Sequence, residues 1–228
     1  MPARRAFSGP GDPRIERALC IAAHPDDLDF FAAGTVLLMT RRGVEVDLVV
    51  ATSGDKGSRD GAADGADLAA TREREQLASA ALLGVGRVEY LRHRDAELVD
   101  SLELRGELVR EIRRSRPDVL LAFDPTPGYR QHPDHRVIGR VAMDAVWPCA
   151  RDPLTYPDMG PPHETPEAWL FGGPSGARID LRIDVGEVLD VKIDARLEHR
   201  SQTGDVAALK RRWRRVGREE RFAQVDLR

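Results

Sequence analysis

Short apolar runs that do not alternate with polar residues recur along this chain, and stretches of helical character separate them. ALCIAA (18–23), VEVDLVVAT (44–52), VEYL (88–91) and DVLLAF (118–123) read as strands, and the runs apolar throughout as strands buried on both faces. GTVLLMTRRG (34–43), TREREQLASAALLGV (71–85) and SLELRGELVREIRRSRP (101–117) read as helices, closed by Gly43, Gly84 and Pro117. On the second of these, Leu77, Ala81 and Leu82 share one face. A further helix runs from about His132 to Trp147, with Pro133 one residue inside its start, where a missing N–H costs nothing. Such alternation specifies an α/β fold with a mainly parallel sheet and right-handed crossovers. EAWLFG (167–172) and ARIDLRIDV (177–185) follow without a long helix between them, so the C-terminal edge is expected to be antiparallel, and a helical region completes the chain.

At 228 residues, one domain is the natural expectation, and 41% hydrophobic with 32% charged residues excludes a disordered chain. No apolar run reaches the roughly 18 residues of a membrane span. Residues 1–16 read as a loose arm rich in Pro, Gly and Arg, without the apolar stretch of a secretory leader, so a cytoplasmic protein is expected. Cys20 and Cys149 are too few for a disulfide framework, and Cys20 reads as a buried thiol. LKRRWRRVGREER (209–221) is basic, but Glu219 and Glu220 dilute it and the net charge is −3, which argues against nucleic-acid binding. A homo-oligomer stays open.

In parallel sheets of this kind, ligands bind beyond the carboxyl ends of the strands. Two dense packets of ligand-type residues fall there: His24-Pro25-Asp26-Asp27 after the first strand and His132-Pro133-Asp134-His135 after the fourth. They hold three of the six histidines. Two imidazoles and a carboxylate suit Zn²⁺ with an open position for water. Such an ion acidifies water and polarises a carbonyl, and a spare carboxylate beside it takes a proton. Spacing alone does not say which residue is ligand and which is base. The segments 54–67 and 150–166 read as polar loops at the same rim, expected to set substrate choice. A nucleotide-binding module without hydrolytic activity would need a Gly-rich loop after the first strand, where this chain has HPDDLDFFAAG.

AHPDDLDFFAAGT (23–35), TSGDKGS (52–58), TREREQLASAALLGV (71–85) and HPDHR (132–136) resemble, in order and spacing, the PIG-L/LmbE-like zinc-dependent N-deacetylases. VKIDARLEHRSQ (191–202) is similar to that family's C-terminal block. The resemblance implies a Rossmann-like three-layer sandwich, a Zn²⁺ cofactor, and hydrolysis of an N-acyl group, foremost acetyl, from a small molecule containing an amino sugar. An amide in a thiol conjugate or a glycosylated specialised metabolite is the alternative. It implies His24, Asp27 and His135 as zinc ligands and Asp26 as general base towards zinc-bound water. His132 becomes the imidazole that steadies the tetrahedral intermediate, with Asp134 orienting it. Arg72, Asp95 and Tyr129 fall where substrate contacts are expected. His93, His163 and His199 read as surface or structural, although His199 lies in the C-terminal block and could line the site. The chain departs from the pattern at Leu28, where a glutamate is common and Asp29 follows one place later, and at Ala33, which replaces the first of two glycines.

Overall fold

The computed structural model describes residues 6–58, 60, 63–126, 131–173 and 177–228. The first half runs β1 (Arg17–Ala22), α1 (Asp27–Phe31), α2 (Ala33–Thr40), β2 (Glu45–Thr52), α3 (Gly65–Leu83) and β3 (Arg87–His93). Then come α4 (Leu102–Ser115), β4 (Val119–Phe123), α5 (Pro133–Asp144) and β5 (Glu167–Phe171). β6 (Leu181–Asp184), α6 (Leu189–Glu198), α7 (Val206–Val216) and β7 (Glu219–Asp226) close the chain.

The strands form one sheet in the order β3-β2-β1-β4-β5-β7-β6. β1 lies parallel to both β2 and β4, β4 parallel to β5, and β7 antiparallel to β5 and β6. The expected α/β architecture, mainly parallel with an antiparallel C-terminal edge, is therefore present. The chain winds outward from β1 to β3, then returns to lay β4 on the other side of β1. That reversal opens a crevice beyond the carboxyl ends of β1 and β4. β4 and β5 are buried along their whole length, which explains the unbroken apolar run of β4 and the four apolar residues that follow Glu167 in β5. α1, α2, α3 and α7 gather around α6, while α4 and α5 pack together and α5 rests on β1 and β4. Among the described residues no helix is long and apolar enough to cross a membrane.

Several expectations change. α3 begins at Gly65 because the Asp64 side chain accepts hydrogen bonds from the N–H groups of Ala66 and Asp67, so the loop before it is shorter than read. Leu77 and Leu82 point to solvent at 51% and 43% exposure; the inward face carries Arg72, Gln76, Ser79, Ala80 and Leu83. The final segment is a strand, and Glu220, read only as diluting a basic stretch, is buried within it. The N-terminal arm is packed from Phe7 onward, with the Phe7 N–H on Glu167 and the Phe7 carbonyl on Gln224. Residues 150–166 do not rim the crevice. They wrap the buried Arg113 in the last turn of α4, whose guanidinium donates to the carbonyls of Cys149, Ala150, Asp152, Thr155, Tyr156 and Gly160. His163, in the same segment, reaches the Pro117 carbonyl just before β4, so this loop sits at the amino end of the strands.

Candidate metal centre

The His24 packet turns sharply as it leaves β1. Asp26 adopts φ 93°, a left-handed conformation that costs a non-glycine residue energy, and its N–H donates to Gln76 Oε1 at 2.9 Å. The turn folds Asp27 back so that its Oδ2 accepts from the N–H groups of Ala23 and His24 at 3.0 and 2.8 Å. The second packet instead follows ordinary helix chemistry. His132 is the N-cap of α5 and accepts the Asp134 N–H on Nδ1 at 3.2 Å, with Pro133 in the first helical position.

These two turns bring His24, Asp27 and His135 together. His24 Nδ1 lies 3.2 Å from His135 Nε2 and 3.5 Å from Asp27 Oδ2, and His135 Nε2 lies 3.1 Å from Asp27 Oδ1. Ligands about 2.0–2.1 Å from a tetrahedral zinc ion are about 3.3–3.4 Å from one another, close to the His24–His135 separation and to the distance from each histidine to one of the two Asp27 oxygens. The donor chemistry agrees. His24 Nε2 faces Asp95 Oδ1 at 3.1 Å and Asp134 Oδ2 at 3.3 Å, which places the ring proton on Nε2 and leaves the Nδ1 lone pair for a metal. Burial alone would push the His24 imidazole down, but Asp134, Asp27 and Asp95 push it up to about 11. The surroundings therefore favour positive charge at this point. Phe123 stacks on the His135 ring at 4.0 Å between centroids and holds it in place.

Asp134 and Asp95 are buried and serve His24. Asp134 also accepts from the N–H groups of Ala96 and Leu98, pinning the loop after β3 to α5. Its carboxylate thus orients His24, whereas the resemblance had assigned it to His132. The half-buried His132 ring stands edge-on to His24 at 4.7 Å, and with Nδ1 accepting, its Nε2–H is the proton available to the cleft.

Asp26 lies beside the cluster between two guanidinium groups. Arg72 Nη2 is 3.3 Å from Oδ1 and Arg196 Nη2 is 3.7 Å from Oδ2. Burial first, then the Asp27 charge, pushes the Asp26 carboxyl up to about 6, with Arg72, His199 and Arg196 pulling the other way. Arg72 is itself buried and donates to the carbonyls of Pro25 and Gly54 at 2.6 and 3.1 Å. A Cβ at Gly54 or Gly57 would lie 2.2 or 2.3 Å from Arg72 Nη1, so the segment after β2 is built around this side chain. Arg72 and Asp95 thus meet protein partners within the site. Tyr129 lies outside the described residues.

The sequence reading gave no site role to Gln76, Asp29 or Glu220, which hold the site together. Gln76 carries no local signal beyond being polar on a helix. Asp29 accepts from Ser79 Oγ and pairs with His199 Nε2 at 2.5 and 2.9 Å, all three fully buried, which fastens α6 to α1. Glu220 accepts from the N–H groups of Gly34 and Thr35 at the start of α2, and Lys192 Nζ neutralises it at 2.7 Å. A cavity of about 500 Å³, lined in part by Phe30, Phe31, Ile179, Arg212 and Trp213 and by none of the cluster residues, lies on the far side of Phe31, whose ring is 6.4 Å from His135.

A family profile described as "GlcNAc-PI de-N-acetylase" (PIG-L) matches residues 19–146. The diacetylchitobiose deacetylase of Thermococcus kodakarensis is 32% identical over 188 residues, 82% of this chain and 70% of that protein. A 1D-myo-inositol 2-acetamido-2-deoxy-alpha-D-glucopyranoside deacetylase of Streptomyces scabiei is 32% identical over 210 residues, 78% of this chain and 64% of that protein. The structure of N,N'-diacetylchitobiose deacetylase from Pyrococcus horikoshii matches with a TM-score of 0.86 and 30% identity, covering 93% of this chain and 85% of that one. The profile spans more than half of the chain and includes both His-Pro-Asp packets that build the cluster: this chain belongs to the PIG-L family.

Proposed function

We propose that this protein is a zinc-dependent N-deacetylase that removes the acetyl group from the amine of a 2-acetamido sugar carried in a larger small molecule. The observation that carries this reading is the meeting of His24 Nδ1, His135 Nε2 and Asp27 at 3.1–3.5 Å, with a further carboxylate, Asp26, and a further imidazole, His132, beside them. The names of the relatives from Thermococcus and Streptomyces, both deacetylases of acetylated amino sugars, support the substrate class.

His24, Asp27 and His135 would hold the ion, which when bound supplies Lewis acidity towards a carbonyl oxygen and acidifies water. The chain's own residues do the rest. Asp26 takes the proton of the attacking water, and its neighbours hold the carboxylate at the edge of the cluster. His132 donates a hydrogen bond from its Nε2–H to the oxygen that gains charge, and the proton that Asp26 has taken from water passes to the departing nitrogen. Asp95 and Asp134 keep His24 in the tautomer that leaves Nδ1 free. The cavity beyond Phe31 offers room for the part of the substrate that follows the sugar.

Protein loaded with one equivalent of Zn²⁺ should release acetate and a free amine from N,N'-diacetylchitobiose or another N-acetylglucosamine glycoside, followed with an amine-reactive fluorophore. A chelator should abolish turnover and added Zn²⁺ restore it. Zinc-loaded protein that frees no amine from any member of such a panel overturns the reading.

A further inference from the structure

Arg196 is 3% exposed and reaches into the heart of the site from α6. Its guanidinium lies over the Phe30 ring, 4.5 Å from the centroid. Nη1 donates to Thr203 Oγ1 at 3.0 Å and Nη2 to the Gln202 carbonyl at 3.3 Å, so the plane of the group is set by a ring and by the segment after α6. The same Nη2 is 3.7 Å from Asp26 Oδ2, on the side of the carboxylate opposite Arg72. Its Nε is buried with no hydrogen-bond partner. Burying a guanidinium with an unpartnered N–H is expensive, and an aliphatic side chain could fill the space beside Phe30 without that cost.

The Asp26 backbone is already fixed, by its left-handed conformation and by Gln76 on its N–H. What that leaves free is rotation of the side chain. One guanidinium facing one oxygen still permits the carboxylate to swing, whereas a second positive charge facing the other oxygen disfavours that swing. From this geometry we infer that Arg196 is a positioning residue for Asp26, holding from the Oδ2 side the carboxylate that Arg72 holds from the Oδ1 side. The inference rests on the proposed function, in which Asp26 is the general base. Arg196 acts through Asp26 and touches neither the substrate nor the metal ligands.

The test compares Arg196→Met with Arg196→Lys in the zinc-loaded full chain, by steady-state kinetics, zinc content and thermal unfolding. Displacement of a reacting group by about 1 Å costs on the order of 100-fold in rate, so Arg196→Met should lower kcat by about 10–100-fold. KM should hold within about twofold and zinc stay at one per chain, because the side chain does not line the cavity and its partners are Phe30, Thr203, Gln202 and Asp26 rather than His24, Asp27 or His135. Arg196→Lys keeps the charge and the stem over Phe30 but loses the fork, and should fall between wild type and Arg196→Met. Millimolar guanidinium ion should partly restore turnover to Arg196→Ala and leave wild type unchanged. An unaffected kcat, a change confined to KM, or a loss of zinc parallel to the loss of rate each overturns the inference. Should Arg196→Met and Arg196→Ala fail to fold, a kcat for Arg196→Lys equal to that of wild type overturns it too. An inactive wild type overturns the functional reading and this inference with it; an active wild type with an unaffected Arg196→Met overturns the inference alone.

Discussion

Two copies of the tripeptide His-Pro-Asp stand at the carboxyl ends of neighbouring strands and are used in different ways. In the second, at His132, the tripeptide is a helix start of the usual kind: an N-cap, a proline in the first turn, and an aspartate whose N–H is capped. In the first, at His24, no side-chain cap forms, and Asp26 sits at φ 93°. That turn is held by Gln76 on the Asp26 N–H and by Arg72 on the Pro25 carbonyl, residues about 50 places along the chain. The first packet places two carboxylates side by side with different partners. Histidines face Asp27 and guanidinium groups face Asp26. The lesson is that an identical motif acquires its chemistry from what folds against it.

The largest expected effect comes from removing what the packets share. His135→Ala takes one of three ligands from the cluster, so bound zinc and turnover should vanish together, read by metal analysis and acetate release. Full zinc occupancy in this variant would separate the second packet from the metal. Asp26→Asn should keep zinc while losing about 10²–10⁴-fold in kcat, because an amide cannot take the proton. If Asp26→Asn lost zinc and Asp27→Asn kept it, the division of labour within the first packet would be reversed. Asp134→Asn tests the link between the packets, since the Asp134 carboxylate faces His24. Zinc affinity should fall by about 10–100-fold, measured by competition with a chelator. The smallest effect belongs to the locally determined start of α5. Pro133→Ala should cost about 0.4–1 kcal/mol of stability by loosening the unfolded chain, seen in denaturant unfolding, with kcat untouched. A large loss of activity there would show that the second packet is as dependent on context as the first.

The alternation of buried strands and helices, the helix start at Pro133, the C-cap at Gly84 and a site beyond the carboxyl ends of the strands were legible because each follows from local propensity or from the rules of parallel sheets. The resemblance then singled out His24, Asp27 and His135, which the structure does bring together. The burial of α3 was misread for a physical reason. Its inner face looks onto the site and carries Arg72, Gln76 and Ser79, so apolar periodicity points the wrong way and leaves Leu77 and Leu82 in solvent. β7 escaped notice because a basic helix precedes it and a charged residue, Glu220, occupies an inward position. That charge is tolerable only because Lys192 and the N–H groups of Gly34 and Thr35 surround it.

Gly34 shows where the division falls. The residue reads as part of a motif, yet its reason is that a Cβ there would lie 2.5 Å from Val185, which packs against it from 151 places along the chain. By itself the sequence determined β1 to β6, α2 to α5 and the two His-Pro-Asp packets, since these depend on neighbours within a few residues and on the handedness of crossovers. Only the tertiary structure decided which carboxylate meets the histidines, which meets Arg72 and Arg196, and that Asp134 and Asp95 serve His24. Those choices are made by side chains that meet across elements, where a contact of about 3 Å carries the energy of a charge-assisted hydrogen bond and sequence separation carries no information.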